Sequence, residues 1–64
     1  MRKIILFDDG NAIALAIEKY MKNEGFRIDV YRDGINNFSI NEFIEDPSRI
    51  IKRKANFYDA MIIA

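Results

Sequence analysis

Residues 4–9 constrain the fold of this chain more than any other stretch. Four apolar residues at positions 4–7 are followed directly by two carboxylates, Asp8 and Asp9, and then by Gly10. A short apolar run without alternation is typical of a strand buried on both faces, as in parallel sheets covered by helices. Ligand sites in such sheets lie beyond the carboxyl ends of the strands. The sequence therefore predicts a buried central strand that ends in an acidic pair, at the edge where ligands bind.

A helix is predicted to follow this strand and to end at Gly25, which occupies the position where a glycine often terminates a helix. Asp9 or Asn11 can cap its amino end, and Glu18 and Lys22 form a favourable i,i+4 ion pair. Helical spacing predicts that one face packs against the sheet through Ile13, Ala16, Ile17, Tyr20 and Met21.

Residues 26–31 alternate apolar and charged side chains, which predicts a strand with one exposed face or at a sheet edge. A turn at residues 32–34 ends it. Ser39 and Glu42 then fit a capping box at the start of a short helix. Asp46 and Pro47 fit the first two positions of another, so we expect two short helices, or one helix broken at Asp46. The apolar residues expected to face inward are Phe43, Ile44, Ile50 and Ile51.

The basic run at residues 52–54 is expected to be a solvated last helical turn rather than a binding patch. Residues 60–64 are a second continuous apolar run and predict another central strand. The order is therefore β-α-β-α-β, within a single domain over residues 1–64. Right-handed crossovers give a parallel sheet with strand order 2-1-3, an α/β fold of the three-layer, flavodoxin-like kind but only half its size.

The third strand creates a problem for this arrangement, because it is as apolar as the first and has a neighbour on one side only. An exposed apolar edge invites pairing with another chain. We expect residues 61–64 to be covered by a second copy in a homodimer, or by further strands of a longer chain. Chains this short bury only roughly 60% of the surface that the unfolded chain exposes, so association would also add stability.

Composition excludes several classes of function. Lys plus Arg and Asp plus Glu number 10 each, and there is no Cys or His. We therefore expect no nucleic-acid or membrane partner, no disulfide and no zinc site of the usual kind. A nucleophile–base pair of the common kinds cannot be built, so we do not expect an enzyme. The apolar stretch after Met1 is too short for a signal peptide, and the expected location is cytoplasmic.

Four segments together resemble the receiver domain of response regulators in two-component signal transduction. They are the strand ending in Asp8 and Asp9, the helix end at residues 20–26, the second strand with its turn at residues 28–34, and residues 58–63. The resemblance covers nearly the whole chain. It implies a flavodoxin-like fold and a phosphorylation switch, in which the acidic pair helps to hold Mg²⁺ and an Asp after strand three accepts a phosphoryl group from a histidine kinase.

On this resemblance the phosphoacceptor position falls on Ala64, which has no nucleophilic oxygen and cannot bind a metal. The later Ser or Thr and Lys that read the phosphate in that family are absent. The resemblance therefore implies a pseudo-receiver that acts by protein–protein contact, with a signalling protein or a second copy as partner. The alternative is the amino-terminal part of a phosphorylatable, Mg²⁺-dependent response regulator.

Asp8 and Asp9 also have a purely structural interpretation, as caps that favour the positive end of the following helix. A pair of carboxylates at a strand end suits Mg²⁺, which takes one or two protein carboxylates and keeps several waters. Without a third acidic ligand from strand three, we expect any metal site at Asp8 and Asp9 to be weak or vestigial. No other metal or cofactor is expected.

Overall fold

The structure of this protein is a computed structural model that describes residues 2–10 and 12–64. The chain forms three strands and three helices, with two successive helices and a short 3₁₀ turn before the last strand. In chain order the elements are β1 (Lys3–Phe7), α1 (Ala12–Asn23), β2 (Arg27–Tyr31), α2 (Ile40–Glu45), α3 (Pro47–Lys54), the 3₁₀ turn Ala55–Phe57 and β3 (Ala60–Ile63).

The strands form one parallel sheet in the order β2-β1-β3, which confirms the predicted α/β fold and strand order. Ile5 of β1 lies opposite Asp29 of β2 on one side and Met61 of β3 on the other. The central strand is the most buried element, with all four apolar residues from Ile4 to Phe7 buried.

Alternation along β1 divides the core between the two faces of the sheet. Ile5 and Phe7 point to the face covered by α2 and α3, where they cluster with Phe38 and Phe43. The rings of Phe7 and Phe43 stack at a centroid distance of 4.8 Å. Ile4 and Leu6 therefore point to the opposite face, where α1 packs against β1 and β2.

Local signals in the sequence placed the helix ends correctly. Gly25 has φ +87°, and the N–H groups of Gly25 and Phe26 donate to the carbonyls of Lys22 and Met21, which is a Schellman motif. Asp46 separates α2 from α3, and its carboxylate accepts a hydrogen bond from the Arg49 N–H at 3.3 Å. The predicted cap at Asn11 lies outside the described residues.

The predicted inward face of α1 is wrong in part. Ile13 is 62% exposed, Ala16 and Tyr20 are also exposed, and the side chain fully buried against the sheet is Ala14. Glu18, on the same face four residues later, meets Arg32 at 3.0 Å and helps to fix this rotation.

The prediction for Ile44 is also wrong, because this residue of α2 is 68% exposed. α2 has fewer than two turns, and Phe43 already occupies its one fully buried position. The neighbouring side chain points about 100° away from it around the helix. Ile50 and Ile51 do pack against the core, as predicted.

Candidate functional site

The carboxyl edge of the sheet brings together residues that are far apart in the sequence. The Asp8 N–H donates to the Tyr31 carbonyl at 2.9 Å, next to Arg32. The Asp9 N–H donates to the Ala64 carbonyl at 2.8 Å. Asp8 and Asp9 therefore lie between the ends of β2 and β3, at the edge where parallel sheets bind ligands.

Arg32 occupies the centre of this site. Its Nε donates to Asp8 Oδ2 at 2.6 Å, and its Nη2 donates to Glu18 Oε1 at 3.0 Å. Glu18 also accepts a hydrogen bond from Lys22 Nζ at 2.9 Å, as the sequence predicted. The result is a network of two carboxylates and two cations that links α1 to the ends of β1 and β2.

Asp8 is the most buried charged group described, with only 4% of its surface exposed. Its Oδ1 accepts a hydrogen bond from the Gly10 N–H at 2.7 Å, so both carboxylate oxygens are engaged. This bond closes a turn after β1, where Gly10 has φ +98°. This turn bond differs from the predicted role of Asp8 as a cap of α1, and that role stays a prediction.

The two carboxylates of the network have depressed pKa values. Burial of Asp8 opposes its ionisation, but the hydrogen bonds from Arg32 and Gly10 and the charge of Arg32 together outweigh burial and lower its pKa. Hydrogen bonds from Lys22 and then Arg32 lower the pKa of Glu18. Both groups are therefore held as anions, and neither is suited to proton transfer near pH 7.

A metal ion at this edge would compete with Arg32. One oxygen of Asp8 already meets a guanidinium, and Ala64 contributes no side-chain oxygen next to Asp9. Within residues 2–10 and 12–64, no three acidic side chains converge on one point where a metal could bind. Weak Mg²⁺ binding at Asp8 and Asp9 stays a prediction, and Arg32 gives a physical reason for the weakness.

A second polar cluster, which no pattern in the sequence indicates, lies at the other end of the sheet. The Tyr58 hydroxyl donates to Asp29 Oδ2 at 2.7 Å, and Lys3 Nζ lies 5.1 Å from the centroid of the Tyr58 ring. Burial and then the hydrogen bond to Asp29 raise the pKa of Tyr58 well above its usual value. This tyrosine stays protonated as a donor, and it links the segment before β3 to the edge strand β2.

The sequence therefore located the acidic pair but not its partner. Arg32 directly follows β2, and the carboxyl ends of neighbouring parallel strands meet at one edge. This arrangement is the signal from which a cation beside Asp8 could have been predicted. No sequence pattern indicates the hydrogen bond between Tyr58 and Asp29. The bond forms because the Tyr58 side chain extends across β1 to β2.

The outer edge of β3 is the other exposed feature of the sheet. Ala64 donates its N–H to Phe7 and accepts from Asp9, so its backbone faces β1. Strand alternation turns the N–H and C=O groups of Met61 and Ile63 the other way, away from β1. Ile63 is also 56% exposed. Among the described strands, β3 pairs only with β1.

Comparison with known proteins adds no relative: no family model matches the chain, and neither a curated protein nor a solved structure does. In the part of the chain that the structure describes, no helix has the length and apolar character needed to cross a bilayer.

Proposed function

We propose that this protein is a receiver-like interaction module that self-associates through β3 and does not accept a phosphoryl group. The observation that carries the proposal is the open edge of β3. Its backbone groups at Met61 and Ile63 face away from β1, and its residues 60–64 contain no charged side chain. Uncharged apolar edges are the ones that pair with another chain.

The second part of the proposal concerns the missing phosphoacceptor. Ala64 follows β3 and bonds through its backbone to Asp9, which is where the receiver resemblance puts the acceptor carboxylate. A methyl group cannot attack a phosphoryl donor. Arg32 in addition neutralises Asp8, the other member of the acidic pair. The chemistry available at this edge supports a structural role and not phosphoryl transfer.

The small core supports association as well. The buried apolar residues described are seven: Ile4, Ile5, Leu6, Phe7, Ala14, Phe38 and Phe43. None of them lies in β3, although three of that strand's four residues are bulky and apolar. Pairing with a second copy would remove this apolar surface from water, at about 25 cal/mol per Å² buried.

Light scattering on two matched variants tests the proposal. The wild type is expected at twice the 7.5 kDa mass of one chain. Ile63→Lys places a charge on the β3 edge and should give a monomer. Ile44→Lys makes the same change at an exposed site on α2 and should remain a dimer. A monomeric wild type at millimolar concentration, or a dimeric Ile63→Lys, contradicts the proposal.

The second candidate function is the amino-terminal part of a phosphorylatable, Mg²⁺-dependent response regulator. The placement of Asp9 beside the end of β3 favours it, because an acidic pair and an acceptor position would meet there. In that case Mg²⁺ should shift the amide NMR signals of Asp8 and Asp9 in a saturable way, and Asp9→Asn should abolish the effect. The leading proposal predicts binding so weak that these shifts do not approach saturation at millimolar Mg²⁺.

A further inference from the structure

A cleft opens beside the carboxyl end of β2, on the face of the sheet that α2 and α3 cover. Its volume is about 220 Å³, and it lies between the loop after β2 and the two helices. Asp8, Asp9 and Arg32 do not line it, so it is separate from the carboxylate site. The side chains around it that matter for binding are Asn37, Ser39, Glu42, Arg49, Arg53 and Lys54.

The three cationic side chains of this cleft all belong to α3. Arg49 and Arg53 are four residues apart and share one face of α3, and Lys54 follows directly. Lys54 Nζ lies 5.0 Å from the centroid of the Tyr31 ring, at the end of β2. In the basic run at residues 52–54, Lys52 and Arg53 are exposed, as predicted for a solvated last turn, and Lys54 is half-buried. Arg53 and Lys54 line the cleft, and Lys52 does not.

The cleft has a net positive charge. Three cations line it against one carboxylate, Glu42. Among the described residues, the guanidinium groups of Arg49 and Arg53 form no ion pair, in contrast to Arg32. Ser39 Oγ accepts a hydrogen bond from the Glu42 N–H, which leaves the hydroxyl hydrogen available to a ligand.

We propose that this cleft binds a small phosphate monoester. Two guanidinium groups on one helix face offer the planar, forked donors that match phosphate oxygens, and Lys54 adds a point charge. The cleft is smaller than the range of about 300–1,000 Å³ typical of sites for drug-sized ligands, so the organic part of the ester is small. Its position at the carboxyl end of β2 agrees with where parallel sheets bind ligands.

Titration calorimetry with glycerol 2-phosphate as the probe tests this site, with glycerol as the uncharged control. Arg49→Gln and Arg53→Gln should each weaken binding about tenfold, since each removes a charge-assisted hydrogen bond. Lys52→Gln removes the same charge one residue outside the cleft and should leave the affinity within about twofold. Glu42→Gln removes the one repulsive carboxylate and should tighten binding severalfold.

The phosphate dianion predominates above its second pKa of about 6, so binding should weaken as the pH falls from 7.5 to about 5. The proposal is overturned if glycerol 2-phosphate shows no saturable binding at millimolar concentration, or if Lys52→Gln weakens it as much as Arg53→Gln does. A phosphoserine peptide that binds more than about tenfold tighter than the probe would also overturn it, in favour of a protein partner. Circular dichroism on each variant shows whether the fold is intact.

Discussion

At the scale of single residues, Arg32 decides what the acidic pair can do. In the sequence, Asp8 and Asp9 are two of the carboxylates that a magnesium site would need. In the structure, Arg32 Nε lies 2.6 Å from Asp8 Oδ2. A buried carboxylate needs a partner of this kind, because an unpaired buried charge is costly. The Arg32 guanidinium provides the positive charge beside Asp8 that a bound metal ion would otherwise provide.

Arg32→Met tests this role of Arg32. The substitution leaves the buried Asp8 without its charged partner, so we expect the thermal unfolding midpoint to fall by at least about 5 °C. Arg27→Met is the matched control, since Arg27 is an exposed residue of β2 without an ion pair among the described residues. Equal effects of the two substitutions in calorimetry would contradict the account.

The depressed pKa values of Asp8 and Glu18 predict how this effect depends on pH. Groups whose pKa is lower in the folded state stabilise it above their ordinary values, 3.8 for Asp8 and 4.5 for Glu18, and lose that effect as the pH falls through the folded value. The difference in unfolding free energy between wild type and Arg32→Met should therefore be constant near pH 7 and shrink below about pH 4.5. Urea titrations across this range measure it, and a difference that grows in acid would contradict the assignment.

At the scale of elements, the sequence predicted the ends of the helices better than their orientation. Gly25 and Asp46 act through bonds to their own neighbours, so their roles can be read from a few adjacent residues. Which face of α1 is buried depends on the side chains of β1 that it meets. The apolar pattern of α1 predicted that the face containing Ile13 is buried, whereas in the structure the buried face contains Ala14. The basic cleft was missed for the same reason, since it forms between separate elements.

The role of Asp46 as the residue between α2 and α3 can be tested, because its side chain caps the amino end of α3. Asp46→Ala removes the bonds to the Arg49 N–H and the Ser48 hydroxyl, and should lower the unfolding free energy by about 1 kcal/mol. Asp46→Asn keeps an oxygen that can accept both bonds and should cost much less. Urea denaturation of the two variants makes the comparison, and equal losses would mean that the cap is unimportant.

At the scale of the whole molecule, the aromatic cluster beneath α2 holds the sheet and the helices together. Phe43 stacks on Phe7 at 4.8 Å and is 6% exposed. Replacing it with alanine should cost about 3–5 kcal/mol, which is a large part of the roughly 3–10 kcal/mol expected for a domain of this size. We expect Phe43→Ala to lose cooperative thermal unfolding by circular dichroism.

Phe57→Ala is the matched control for this prediction, because Phe57 is 66% exposed. It should unfold within a few degrees of the wild type. If Phe57→Ala destabilised the protein as much as Phe43→Ala does, the cluster described here would not be the core. Phe57 and Tyr20 are both exposed, so these two aromatic residues do not belong to the core.

Amide hydrogen exchange can show whether a second copy covers the edge of β3. The N–H groups of Met61 and Ile63 face away from β1, so they have no partner among the described strands of one chain. We predict that their exchange slows as the protein concentration rises, whereas exchange of the Leu6 amide in the central strand changes less. Fast exchange of Met61 and Ile63 at every concentration would contradict the account.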